Sequence, residues 1–197
     1  KVCASLEEAS GGSGLVVLAV PAAGMRDTAV MAAPYIGAWQ AILSVAKGLE
    51  ADSAKRMSTV IEEVIPGHPI AALSGPNLAR EVAEGRPSTT VIATRDEALG
   101  KLVQQIFMCP TFRVYTNPDL IGVELAGALK NIVAIGAGIS DGMGLGDNSK
   151  AALVTRGLAE ITRLGVAMGA RALTFQGLAG IGDLIATCAS PHSRNHT

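Results

Sequence analysis

Aromatic side chains are scarce in this 197-residue chain, which has three Phe, two Tyr and one Trp. Single-stranded nucleic acid is held on aromatic platforms, and none can be assembled from so few rings. Lys and Arg number 16 against 17 Asp and Glu, without a basic run, so a phosphate-neutralising patch is absent as well. Cysteine is sparse: Cys3, Cys109 and Cys188 are far apart and odd in number, which makes no disulfide framework and suits a reduced, cytoplasmic setting. The opening residues do not read as a signal peptide. Long uninterrupted apolar runs are also lacking. Residues 121–139 approach the length of a membrane span, yet Glu124, Lys130 and Asn131 interrupt them. A central Lys alone costs about 2.5–3.5 kcal/mol on insertion scales, so a buried helix is expected and stable membrane insertion is not.

What is present is a globular composition, 49% hydrophobic with 23 Gly. Short continuous apolar runs occur at "GLVVLAVP" (14–21), "AILSVAKG" (41–48), "HPIAALSGP" (68–76), "STTVIATR" (88–95) and "TFRVYT" (111–116). Uninterrupted runs of this kind predict a parallel sheet covered on both faces. Between them Met57, Val60, Ile61, Val64 and Ile65 form one helical stripe, and Leu99, Leu102, Val103, Ile106 and Phe107 another, with Ser53 and Asp96 placed as N-caps. The alternation reads as α/β, a partial doubly wound, Rossmann-like layer over residues 1–117. After Asn117–Pro118 the strand pattern stops. Helical segments at roughly 119–140, 148–169 and 175–190 predict an all-α substrate domain over 118–197, with Gly142, Gly144 and Gly146 marking its first connection. The "GGSG" at 11–14 precedes its strand, so it is a turn and no phosphate fingerprint.

Several residues invite chemistry. Lys47 closes an apolar run, and strand ends of open α/β sheets are where ligands bind; a solvated lysine at a strand end fits the pattern equally. Gly75 and Pro76 make a turn after the next strand, with Asn77 placed to cap the helix beyond it, either as an ordinary connection or as a polar-ligand site. Lys130 shares a helix face with Val123, Ala126, Ala134 and Ala137. Its ammonium either escapes to water along its stem or is presented to a site, where apolar walls lower its pKa and suit it to proton transfer. In "GLAGIGDLIATCASPHSRN" (177–195), Asp183 precedes an apolar turn, and Ser193, Arg194 and Asn195 have the donors of a phosphate clamp. Cys188, His192 and His196 are spaced by four, but Pro191 disturbs the helix, and no metal is expected.

Taken together, "LSVAKGLE", "SGPNLAREVAEGRPST", "ELAGALKNIVAIGAGISDGMGLGDNSKAALVTRGLAEI" and "GLAGIGDLIATCASPHSRN" resemble the bacterial-type NAD(P)-dependent glycerol-3-phosphate dehydrogenases, over nearly all the chain from Gly14 onward. The resemblance implies interconversion of sn-glycerol 3-phosphate and dihydroxyacetone phosphate with NAD or NADP, a step that feeds phospholipid synthesis. It implies that Lys130 transfers the proton and that Lys47 contacts both substrate and cofactor. Gly75, Asn77, Asp183, Ser193, Arg194 and Asn195 would bind substrate, while Ala79 and Arg194 would reach the dinucleotide. Asn77 stands where many relatives are expected to carry a hydroxyl. The family's glycine-rich fingerprint is not found in these residues, so the chain reads as the later part of a dinucleotide-binding domain followed by the earlier part of a helical domain. Alone it is expected to lack a complete cofactor site and turnover. The implied partner is a small phosphorylated metabolite, with room for a homodimer. Another two-domain dehydrogenase and a non-catalytic module that binds a phosphorylated metabolite remain as alternatives.

Overall fold

The structure, a computed structural model, describes residues 2–189. The apolar runs become five strands: β1 (Leu15–Leu18), β2 (Ala41–Ser44), β3 (Ile70–Ser74), β4 (Ser88–Ala93) and β5 (Phe112–Asn117). They lie side by side in chain order. β1, β2 and β3 run parallel, and so do β4 and β5. The predicted parallel sheet has one reversal, because β3 and β4 pair antiparallel with Leu73 opposite Ile92. The connection between them explains it. Its helix, α4 (Ala79–Ala83), has five residues and rises only about 7.5 Å, too little to carry the chain back along a strand for a parallel return.

Two of the remaining helices on the sheet follow the apolar stripes. With α1 (Leu6–Ser10) and α2 (Met25–Ala32) they are α3 (Met57–Val64) and α5 (Glu97–Phe107). Met25, Ala29, Met57, Val60 and Ile61 pack on Leu18 and Ile42 on one face of the sheet. Leu99 and Val103 of α5 pack on Leu43, Ala71, Ile92 and Val114 on the other. Leu102 and Ile106 stay exposed, since the α5 stripe is wider than the sheet surface it meets. Asp96 caps α5 by accepting from the N–H groups of Ala98 and Leu99. Ser53 does not cap α3, which begins later; its hydroxyl donates to Glu50 instead. Leu6–Ser10 forms a helix in an opening segment that carries no apolar period, held by Ser5 as its N-cap.

Beyond β5 the described residues are helical: α6 (Leu120–Gly142), α7 (Gly146–Ala167), α8 (Ala172–Phe175), a π-helical turn (Leu178–Gly182) and α9 (Asp183–Ala189). Asp119 starts this part. One oxygen accepts from Gly122 N at the head of α6, and the other accepts from Arg171 N and Thr174 Oγ1 at α8. By length and apolar composition α6 is able to cross a membrane, and so is 172–189. In this fold α6 is the central helix, packed against β3, α7 and α9. Leu125, Ala126, Leu129, Val133, Ala134 and Ala137 form its core with Phe175 and Leu184.

A buried ion pair joins the two parts. Glu124 on α6 accepts from Arg56 Nη1 at 2.5 Å, from Ser58 N at 2.7 Å and from Ser58 Oγ at 2.6 Å. Its carboxylate therefore serves as the missing N-cap of α3, where a negative charge also meets the positive end of the helix. Removing one partner of such a pair strands the other in low dielectric. Glu124→Ala should cost about 3–5 kcal/mol of unfolding free energy in denaturant titration. A loss below about 1 kcal/mol would show that water reaches Arg56 and that the joint is only a surface contact.

Candidate active site

Lys130 does not escape to water. It is 6% exposed, in the third turn of α6, among the buried side chains of Val123, Ala126, Ala134 and Ala137. Its Nζ donates to Asp183 Oδ1 at 2.5 Å and to Thr187 Oγ1 at 2.6 Å. Asp183 is 3% exposed, and its second oxygen accepts from Lys47 Nζ at 2.7 Å. Lys47 also donates to the carbonyl of Gly75 at 2.8 Å. One carboxylate thus bridges two lysines that stand 83 positions apart in the chain, one beyond the end of β2 and one on α6.

Local sequence explains each placement. Lys47 follows β2 by three residues, at the carboxyl end of the parallel strands. Gly75 follows β3 with φ of +147°, a conformation that a side chain resists, and a Cβ there would lie 3.2 Å from Thr90 Cα. Asp183 opens α9 directly after the π-helical turn. In that turn a Cβ on Gly180 would lie 2.1 Å from the carbonyl oxygen of Phe175, so only glycine allows the chain to fold so closely before Asp183. Thr187 lies one turn beyond Asp183 on α9, and its hydroxyl donates to the Asp183 carbonyl while accepting from Lys130.

Burial and the like charge of Lys47 push the Lys130 ammonium below the usual lysine range, while Asp183 acts in the opposite direction. With both lysines protonated, the cluster carries one positive charge in excess. It can hold an anionic ligand and exchange a proton at Lys130 Nζ.

Other sequence candidates are placed differently. Asn77 neither caps α4, whose N-cap is Leu78, nor turns to the lysines. Its Nδ2 donates to Thr89 O, and its Oδ1 accepts from Thr90 Oγ1, so the amide pins the 74–78 turn to β4. In this place the amide meets the Thr89 carbonyl and takes a second bond from the Thr90 hydroxyl, which also donates to the Ser74 carbonyl. Ala79 is exposed at the first position of α4. Ser193, Arg194 and Asn195 lie outside the described residues, as do His192 and His196. Cys188 is buried, and burial pushes its thiol up. Sequence reasoning missed Thr187, although its spacing of four from Asp183 puts both on one helix face. It also missed Ser74, buried at the end of β3, whose hydroxyl has no hydrogen-bond partner among the described residues.

Comparison with known proteins bears on what this cluster serves. Residues 1–100 match the family model for the N-terminus of NAD-dependent glycerol-3-phosphate dehydrogenase, and residues 119–197 match the model for its C-terminus. Among curated relatives, the glycerol-3-phosphate dehydrogenase [NAD(P)+] of Desulfitobacterium hafniense is 55% identical over 97% of this chain and 53% of its own length. That of Moorella thermoacetica is 54% identical over 98% of this chain and 57% of its own. Among solved structures, the glycerol-3-phosphate dehydrogenase of Coxiella burnetii superposes with a TM-score of 0.94 at 38% identity, covering 98% of this chain and 59% of that one. The chain spans a little over half the length of these relatives.

The bonds of Asn77 make a separable claim about the turn. Asn77→Ala should cost about 1–2 kcal/mol of stability by removing the donor to Thr89 O and leaving Thr90 Oγ1 with the Ser74 carbonyl alone. An unchanged midpoint in chemical denaturation would show that the turn holds without the amide.

Proposed function

Since the chain belongs to the NAD-dependent glycerol-3-phosphate dehydrogenase family, we propose that this protein interconverts sn-glycerol 3-phosphate and dihydroxyacetone phosphate with NAD or NADP. The observation that carries the reading is the Lys47–Asp183–Lys130 bridge, a cationic centre with Lys130 and Asp183 buried and Lys47 partly exposed, at the carboxyl end of the parallel strands. The residues present fit the reacting end of a nicotinamide dinucleotide beside a phosphorylated substrate. Gly75 has no side chain to obstruct the strand end, and Lys47 supplies a positive charge there. Lys47, Ala79 and Arg194 are the residues proposed to hold the cofactor, on the family resemblance. No strand among the described residues is followed by a G-x-G-x-x-G turn, so no pyrophosphate cradle is assigned within them. When bound, the cofactor supplies hydride transfer to or from the substrate carbon.

The protein's own groups manage the proton and the charge. In oxidation the neutral Lys130 Nζ takes the substrate hydroxyl proton. In reduction the ammonium returns it to the carbonyl oxygen and stabilises the alkoxide as it forms. Asp183 holds Nζ in place, with Thr187 as a second anchor. Lys47 balances the negative charge of the substrate. Gly75, Asn77, Ser193, Arg194 and Asn195 complete the proposed substrate set on the resemblance, with Arg194 and Asn195 at the phosphate. A cytoplasmic location belongs to the same proposal, supported by three unpaired cysteines. Its partner is the small phosphorylated substrate.

Lys130→Met keeps the stem and deletes the proton carrier. In the full-length protein it should lower kcat by about 10²–10⁴-fold with the fold intact by circular dichroism. Near-normal turnover would remove Lys130 from the reaction. The pH dependence has a fixed sign. Glycerol 3-phosphate oxidation needs the neutral amine, so its kcat should rise with pH, with a midpoint below the ordinary lysine value of about 10.4. Asp183 raises that midpoint. Asp183→Asn should therefore move it to lower pH, and an upward move would contradict the assignment.

A further inference from the structure

Gly127 stands three residues before Lys130 on α6, on the same face of the helix. A Cβ built on it would lie 2.6 Å from Ser74 Oγ, where ordinary contact begins at 3.4 Å. It would also lie 3.6 Å from Lys47 Cγ. The backbone of α6 therefore rests directly on the last side chain of β3, beside the stem of Lys47. Ser74 is 3% exposed, and its hydroxyl has no hydrogen-bond partner among the described residues. The oxygen gives this contact volume instead of a bond. A larger group at 127 has to turn the Ser74 hydroxyl within its buried site or lift α6 from the sheet end, and with Ser74 only 3% exposed we take the second as the outcome. Lys130 rides on α6 and Lys47 on the strand end, so lifting one from the other strains the Asp183 bridge at 2.5 and 2.7 Å.

We infer that Gly127 and Ser74 are a matched spacer that sets the distance between Lys130 and Lys47. They are positioning residues: they act through the lysines and touch no substrate. The inference rests on the reading of these lysines as the reacting pair. The geometry also contains its own remedy. Gly127 Cβ would lie 3.7 Å from Ser74 Cβ, an ordinary contact, so deleting the Ser74 oxygen makes room for a methyl at 127.

The test is a double-mutant cycle in the full-length protein: Gly127→Ala, Ser74→Ala and both together. The readouts are kcat and KM for dihydroxyacetone phosphate, thermal unfolding, and the titration of Lys130 Nζ followed by nitrogen-15 NMR. Gly127→Ala should lower kcat by roughly tenfold to a hundredfold, the scale of an ångström misplacement. It should also move the Lys130 titration upward, because a lifted helix admits water to the ammonium and draws it away from Lys47, relieving the two largest downward effects ahead of the weakened Asp183 bond. The double variant should recover both. A merely structural role would lower the unfolding temperature of Gly127→Ala while leaving the titration of the folded protein where it was. Unchanged kcat and titration in Gly127→Ala, or a double variant no better than the single one, would overturn the spacer. If Gly127→Ala does not fold, the double variant decides: it folds with the parent titration, or the inference falls. A titration that shifts and recovers in a protein that never turns over dihydroxyacetone phosphate would keep the spacer and reject the substrate.

Discussion

A charge removed from water must be met by another charge, and the architecture around Asp183 follows from that requirement. The Lys130 ammonium would be expensive to bury alone. Asp183 Oδ1 and the Thr187 hydroxyl meet it, and Asp183 in turn needs its second oxygen satisfied, which Lys47 does. The bridge therefore draws together a strand end, a long helix and the head of a short one. The neighbouring packing serves the same convergence. Small side chains on α6 let α9 and β3 approach from two sides, and Gly180 lets the chain turn tightly around Phe175 before Asp183 arrives. The result is an enclosed group whose protonation responds to its neighbours more than to solvent.

A second buried pair stands on the same helix and does different work. Glu124 faces Arg56 and the first turn of α3, six residues before Lys130. One charged residue of α6 fastens the helix to the sheet layer, while the other carries the proposed chemistry. Both were visible in the sequence as interruptions of an apolar segment. Their partners were not, because Arg56 and Asp183 are respectively 68 and 53 positions away.

The strands and most helices were legible because burial imposes period: β2 and β3 read as apolar runs, and α3 as a stripe. The antiparallel joint was not, since strand polarity depends on how far α4 carries the chain, and composition does not reveal that distance. Lys130 drew notice by being a charge among alanines, and Lys47 by ending an apolar run. Their convergence on Asp183 is a tertiary fact. Asn77 shows the converse error. A residue with cap chemistry was taken by β4, whose polar groups lie 12 and 13 positions away and leave no local trace. Thr187 was within reach of helix periodicity, whereas Ser74 matters by volume at a contact that no pattern encodes.

The reversal between β3 and β4 has a geometric consequence for α6. Because β5 runs opposite to β3, the chain leaves the sheet at the edge where β3 begins, and α6 then travels in the direction of β3 along its face. β3 from Ile70 to Ser74 spans about 13 Å at strand rise, and α6 from Leu120 to Gly127 climbs about 10 Å at helix rise. The helix is thus a ruler laid against the strand, its zero mark fixed by Asp119 and its reading taken at Ser74. Lys130, one turn beyond, clears the sheet edge as a pointer clears the end of a scale. Adding one residue between Asp119 and Lys130 would advance the pointer by about 1.5 Å and swing it through about 100°, toward a different face of the helix.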